Sequence, residues 1–240
     1  MAERTYAAAR VRRIESAGSH GVTVELDLRL DAQPGQFVML WLPRVDEKPF
    51  SLVDADPVTL TVVQVGPFTE RLQRLRVGDT LHLRGPLGRG YSLGGERPLL
   101  VGGGSGAASL AFLARRLAEA GRPVTVALGA RTAAEVLLAG RFRERGAHVL
   151  VSTDDGSAGE HGLVTDLAQR LLACGGYDHV YACGPAPMLE RVEELCRSYG
   201  VPGEVSHEAY MRCGTGICGS CDRGDGLLVC RDGPVFRVGW

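Results

Sequence analysis

Leu100-Val101-Gly102-Gly103-Gly104-Ser105-Gly106 carries the end of an apolar strand straight into a run of glycines. Beyond it Leu110, Leu113, Ala114 and Leu117 fall at helical spacing, and Gly121 ends the segment. A strand that turns through glycines into a helix offers free N–H groups and a favourable dipole to a pyrophosphate. Such turns also serve packing alone, and Ser109 stands where a G-x-G-x-x-G run would have its third glycine. Repetition decides the fold. Strand Val124–Leu128 precedes a short helix near Ala133–Ala139, and Val149–Ser152 precedes a helix near Val164–Leu172. Strand His179–Ala182 precedes a helix with Met188, Val192, Leu195 and Tyr199 on one face, where Met188 and Tyr199 read as core. Alternating strands and helices predict a parallel sheet covered on both sides. Ala182-Cys183-Gly184-Pro185 repeats the strand-end glycine turn, and ligands of open parallel sheets collect at those carboxyl ends. Cys183 reads either as a small buried hydrophobe or, slightly favoured, as cofactor-facing.

Upstream the texture is different. Val22, Val24, Leu26 and Leu28 alternate with polar residues; Phe37–Leu42, Leu60–Val65 and Thr80–Arg84 follow, separated by turns at Gln33-Pro34-Gly35 and Val77-Gly78-Asp79. Short strands at this spacing predict a small antiparallel β-barrel. Gly94-Gly95-Glu96-Arg97-Pro98 marks the change, giving a β-barrel segment 1–96 and an α/β segment 97–206.

Downstream, segment 207–240 is too small to bury its own core and needs a metal or a neighbour. Cys213, Cys218, Cys221 and Cys230 give C-x4-C-x2-C-x8-C. The x4-then-x2 spacing is the plant-type 2Fe–2S pattern, in which four soft thiolates complete two tetrahedral irons. Structural zinc is the rival, but only Cys218–Cys221 forms a zinc-type knuckle. Gly214, Gly216 and Gly219 let the loop wrap a cluster closely. Cys174 and Cys196 read as core or surface thiols without a role.

Of 240 residues 45% are apolar and 23% charged, with a net charge of -1, so no basic footprint points to nucleic acid or an anionic membrane. No apolar run approaches a membrane span, and Met1–Arg10 lacks the core of a signal peptide. Seven cysteines without a secretory signal disfavour a disulfide framework, and the expectation is a cytoplasmic protein. Thirty-three glycines are about twice the usual share, part of which a GC-rich genome would explain. No Ser/His/Asp or paired-carboxylate constellation stands out; His161 and His207 read as solvated or structural.

These pieces, in this order, resemble the ferredoxin–NADP reductase superfamily, and within it the electron-transfer subunits of NAD-linked dihydroorotate dehydrogenases. The matching stretches are Pro34–Phe37, Lys48-Pro49-Phe50-Ser51, Gly85–Tyr91, Val101–Gly106, Thr153–Ser157, Gly162–Asp166 and Cys183–Met188, with Glu208, Met211 and Asp232–Phe236 flanking the cysteines. The resemblance implies FAD on the N-terminal barrel, NAD(H) on the parallel-sheet domain and a 2Fe–2S cluster in the tail. It assigns Lys48, Pro49, Phe50 and Ser51, the strand Thr61-Val62-Val63 and the turn Phe68-Thr69 to the flavin and its pyrophosphate. It assigns Gly102, Gly103, Gly104, Gly106, Asp154, Asp155, Cys183, Gly184 and Pro185 to the nicotinamide nucleotide. Lys48 stands where arginine is usual, Phe68 where a small residue is usual, Ser109 where proline is common, and the gap before Cys230 is short. Family likeness favours NADH, although Arg131 after Gly129-Ala130 could meet a 2′-phosphate.

In such a chain FAD converts two-electron hydride transfer into single-electron transfer. The implied partner is an FMN-containing dihydroorotate dehydrogenase catalytic subunit of pyrimidine synthesis, in a hetero-oligomer, a heterotetramer. A hydrogenase, sulfide dehydrogenase or transhydrogenase small subunit would use the same cofactors with another partner. A zinc-tailed nucleotide-binding regulator is the reading of a different class, and it would be colourless.

Overall fold

The computed structural model describes residues 6–238; residues 1–5 and 239–240, with part of Met1–Arg10 and the outer ends of segments 1–96 and 207–240, lie outside the described residues. Six strands form a closed antiparallel barrel: β1 (Ala7–Ala17), β2 (Gly21–Leu26), β3 (Phe37–Leu42), β4 (Asp46–Ala55), β5 (Val58–Val63) and β6 (Thr80–Leu87), in the order β1-β2-β5-β4-β3-β6. Closure comes from β1 pairing with β6, Ala7 opposite Leu83. Alternation fills the interior with Val24, Leu26, Leu52, Leu60, Leu81 and Leu83, and helix α1 (Pro67–Gln73) adds Phe68 and Leu72. Strand β3 is apolar on both faces for a reason. Val38 and Leu40 point into the barrel, while Phe37 and Met39 point outward onto Met211, Cys221, Val229 and Cys230 of the tail.

The second sheet has seven strands: β7 (Pro98–Gly103), β8 (Thr125–Ala130), β9 (His148–Thr153), β10 (Glu160–His161), β11 (His179–Cys183), β12 (Gly203–Ser206) and β13 (Val235–Val238). Their order is β10-β9-β8-β7-β11-β12-β13, parallel except for the last pair. Neighbouring residues serve opposite faces. Leu100, Val126 and Tyr181 meet α2 (Ala107–Glu119) and α3 (Ala139–Glu144), whereas Leu99, Val101 and Val180 meet α4 (Val164–Ala173) and α5 (Ala186–Tyr199). The tail leaves β12 and returns, after the short helix α6 (Val229–Asp232), as β13 against that same strand.

The two layers are bolted together by Asp54 of β4. Its buried carboxylate accepts from Arg115 of α2 and from Arg145, each at 2.8 Å, so the charge is paired on both oxygens. Two expectations need correction. The helix expected near Ala133–Ala139 is a 3-10 turn, Ala133–Glu135, followed by a break at Leu138 (φ 60°) and then α3. The chain is pulled off a helical path because the Ala134 carbonyl accepts from Ser19 N–H on the barrel at 2.7 Å, while Phe142 must turn into the core. Tyr199, expected in the core, is exposed; it is the last residue of α5, directly before the left-handed Gly200 cap. Among the described residues no helix is long and apolar enough to cross a membrane.

Candidate functional site

A cleft of about 480 Å³ opens between the barrel, the sheet domain and the tail. Strand β4 lays Lys48, Pro49, Phe50 and Ser51 along one wall. Thr61 and Val63 join them, while Val62, by strand alternation, points into the barrel and only its carbonyl is outward, accepting from Gln73 Nε2 at 2.8 Å. The Thr69 hydroxyl accepts from the N–H of Val65 (2.9 Å) and Gly66 (3.1 Å) and donates to the Gly66 carbonyl, fixing the turn into α1. Phe68 stacks on Phe50 with centroids 6.1 Å apart, which gives the aromatic at this position a packing partner. Lys48 Nζ lies 2.6 Å from Asp46 and 5.1 Å from the centre of the Tyr210 ring.

The opposite wall comes from far away in sequence: Ser105, Ala108, Cys183 and the stretch Ser206–Ala209. Burial pushes the Cys183 thiol up to about 12, so it faces the cleft as a neutral group. Burial also raises the Glu208 carboxyl, and Ser105 Oγ donates to it at 3.4 Å.

A second cleft of about 710 Å³ runs over the carboxyl ends of β7, β8, β9 and β11. Gly103, Gly104, Asp154 and Pro185 line it; Gly102, Gly106, Gly184 and Asp155 do not. Their roles are internal. A Cβ on Gly106 would run into the Cys183 carbonyl, and one on Gly184 would meet Met188 Cε at 2.6 Å. Gly102 is pressed between Leu128 and Leu110. Asp155 accepts from the N–H and hydroxyl of Ser157, at 3.0 and 2.6 Å, holding the turn that carries Asp154. Thr165 and Asp166, from the Gly162–Asp166 stretch, also line the cleft, as do Arg191 and His20, two polar residues on separate segments that had no sequence signal. Arg131 is exposed and paired bidentately with Glu135, both bonds 2.9 Å. Val63, Val65 and Ser105 border both clefts, which are therefore adjoining parts of one groove.

The tail loop aims backbone N–H groups at sulfur. Cys213 Sγ accepts from Thr215 (3.5 Å), Ile217 (3.3 Å) and Cys218 (3.4 Å); Cys230 Sγ accepts from Gly216 (3.1 Å), and Cys221 Sγ from Cys230 (3.4 Å). Against the cost of burial, the N–H groups hold the Cys213 thiol down at about 5. A loop that aims N–H groups at three of the four sulfurs suits a 2Fe–2S cluster, whereas structural zinc usually sits between paired C-x2-C knuckles, of which only Cys218–Cys221 is present. Among the described residues no three His, Cys, Asp or Glu side chains converge as ligands of a single ion. Cys221 and Cys230 are buried and Cys218 is exposed, so one edge of the site faces outward.

Two stretches of the chain match known family models. Residues 208–239 match the family model described as the iron-sulfur cluster binding domain of dihydroorotate dehydrogenase B, and residues 100–194 match the oxidoreductase NAD-binding domain. The chain is 46% identical over 206 residues to a protein of Methanopyrus kandleri named "Probable dihydroorotate dehydrogenase B (NAD(+)), electron transfer subunit", covering 85% of this chain and 79% of that one. A protein of Thermococcus kodakarensis with the same name is 45% identical, covering 87% and 86%. Among solved structures, an NADH-dependent reduced ferredoxin–NADP oxidoreductase studied for flavin-based electron bifurcation is similar with a TM-score of 0.86 and 34% identity, over 96% of this chain and 88% of that one. The flavohem-like FAD/NAD binding domain of a Vibrio cholerae nitric oxide dioxygenase, at 22% identity and a TM-score of 0.69, shares the fold over 81% of this chain and 93% of its own. At 45–46% identity over 85–87% of its length, and with residues 208–239 matched by the iron-sulfur domain model, the chain belongs to the family of electron-transfer subunits of dihydroorotate dehydrogenase B.

Proposed function

We propose that this chain moves electrons from NADH in the wider cleft, by way of FAD in the barrel cleft, to a 2Fe–2S cluster on Cys213, Cys218, Cys221 and Cys230. From there they are exchanged with an FMN-containing dihydroorotate dehydrogenase catalytic subunit, in the cytoplasm, where a reducing medium suits seven cysteines without a disulfide. One observation carries the reading: Val63, Val65 and Ser105 join the two clefts, and Met211 leads from the barrel cleft into the cysteine loop. When bound, FAD supplies the exchange between two-electron and one-electron chemistry.

The residues of the chain bind, orient and exclude water. Lys48, turned from Asp46, sets a positive charge against pyrophosphate, as a point charge rather than a bidentate fork. Pro49, Phe50, Ser51, Thr61 and Val63 wall the flavin ring, and the stacked pair Phe50–Phe68 keeps water from that side. Thr69 holds the Gly66 turn open to phosphate oxygens. On the nucleotide side the bare backbone of Gly103 and Gly104 admits a second pyrophosphate, Asp154 reaches a ribose hydroxyl, and Asp155 steadies it. Gly102, Gly106 and Cys183-Gly184-Pro185 bring strand ends and helix starts close together, shaping the clefts that would hold the nicotinamide and the flavin.

The likeness to the ferredoxin–NADP oxidoreductase favours a second reading, with the same cofactors and a bifurcating or transhydrogenase partner. One experiment separates them. The isolated chain should carry about two irons and two acid-labile sulfides, oxidise NADH with artificial acceptors, and leave dihydroorotate untouched. Mixed with a dihydroorotate dehydrogenase catalytic subunit of the same organism, it should form a stable complex and couple dihydroorotate oxidation to NAD reduction. Arg212→Glu, beside the cysteine loop, should weaken that coupling more than the NADH oxidation. Turnover of dihydroorotate by the chain alone would overturn the subunit reading, and pairing only with a ferredoxin- or hydrogenase-type partner would favour the second.

A further inference from the structure

Arg84 gave no signal in the sequence. It lies on β6 opposite Met39 of β3, with a side chain only 11% exposed. Its guanidinium makes three bonds: Nε to Glu47 Oε1 at 2.7 Å, Nη2 to Glu47 Oε2 at 2.7 Å, and Nη2 to the carbonyl oxygen of Cys213 at 2.8 Å. Glu47, on β4, also accepts from the Tyr6 hydroxyl at 2.7 Å. Glu47 and Tyr6 alone would steady the side chain. The third bond reaches across to the tail and holds the peptide of the first cysteine in the loop. The next residue, Gly214, lies so close to the barrel that a Cβ there would meet Met39 Cγ at 3.0 Å. The loop is thus seated on β3 by contact and clamped to β6 by charge.

We propose that Arg84 is the positioning and potential-setting residue of the 2Fe–2S site: it orients the Cys213 peptide, and with Glu47 it places an ion pair behind that ligand. The inference rests on Cys213 being a cluster ligand. Reduction of such a centre adds one electron and one unit of negative charge, and its potential follows the local charge and the hydrogen bonds around the sulfurs. A cation behind Cys213 favours the reduced state; the carboxylate of Glu47 opposes it. Removing either partner of the pair therefore moves the potential in opposite directions, whereas loosening of the loop would move both the same way.

The test is redox titration of the whole chain, followed by the electron paramagnetic resonance signal of the reduced cluster, with FAD content as a control. Arg84→Gln leaves Glu47 uncompensated and should lower the cluster potential. Glu47→Gln leaves Arg84 uncompensated and should raise it. Arg84→Lys keeps the charge but not the planar fork; its potential should return toward the parent value while iron is lost to a chelator severalfold faster. Shifts of the same sign in Arg84→Gln and Glu47→Gln, or none in either, would overturn the inference. A parent protein holding one zinc and no labile sulfide overturns the cluster reading itself, before any variant is made, and the inference falls with it.

Discussion

The turn after β7 and the loop around the cysteines are both crowded with glycine, yet each asks something different of it. At Gly106 the demand is contact: the start of α2 is pressed so tightly on the end of β11 that a side chain would strike the Cys183 carbonyl. At Gly216 the demand is direction: its φ is 80°, and that backbone turn aims its N–H at Cys230 Sγ from 3.1 Å. One glycine sets a wall shared by two clefts. The other sets a single hydrogen bond. Composition alone does not distinguish them, because a missing side chain is the same letter whether space or backbone angle requires it.

The contrast can be broken most severely at Gly106. Valine there should destabilise the fold by about 3 kcal/mol or more through overpacking, lowering the melting temperature by about 6–12 °C. FAD and NADH binding should fall together, and survival of either would mean the clefts do not depend on this contact. Gly216→Val should act locally. The left-handed conformation costs an L-residue about 1–2 kcal/mol, and Arg231 Cδ would lie 2.8 Å from the new Cβ. Iron per chain should drop well below that of the parent while FAD stays bound; iron and sulfide assays set against flavin absorbance decide it. Gly104→Val should have the smallest effect. No atom lies within 4 Å of its Cβ position, so the left-handed φ of 52° is the one backbone cost, and the side chain would stand in the nucleotide cleft. NADH should bind about tenfold more weakly, about 1.4 kcal/mol, with flavin content normal; stopped-flow flavin reduction as fast as in the parent would remove Gly104 from the site.

Legibility followed locality. The strand–helix alternation, the barrel strands and the cysteine spacing are written in short windows, and the sheet and barrel have the expected architecture. Even the unbroken apolar run Phe37–Leu42 carried information: a strand covered on both faces loses its alternation, and the outer cover is the tail. The helix near Ala133–Ala139 failed because its alanines favour a helix while a barrel contact at Ala134 does not. The barrel cleft takes in the Lys48–Ser51 stretch on one wall but only Cys183 of the cofactor residues singled out in sequence on the other. Lys48–Ser51 form a contiguous motif, but Ser105, Ser206 and Glu208 meet them through folding, and no spacing rule connects residue 48 to residue 208. Arg84 was invisible for the same reason: a lone arginine in a strand has no signature until its partners are in place.

The tail is not a loose end. Residues 207–234 leave one strand, β12, and return antiparallel to it as β13, with Gly203 opposite Val238 and Ser206 opposite Val235. Both ends of the cysteine loop are therefore fastened by the sheet, and its closure entropy is met by strand pairing and not by iron. A zinc finger has no such support and is unfolded without its metal. In this chain the order of assembly can be reversed, with the polypeptide folded first and the metal arriving last. Cys218 stands at the exposed rim of this preformed loop, and the buried Cys221 and Cys230 lie behind it.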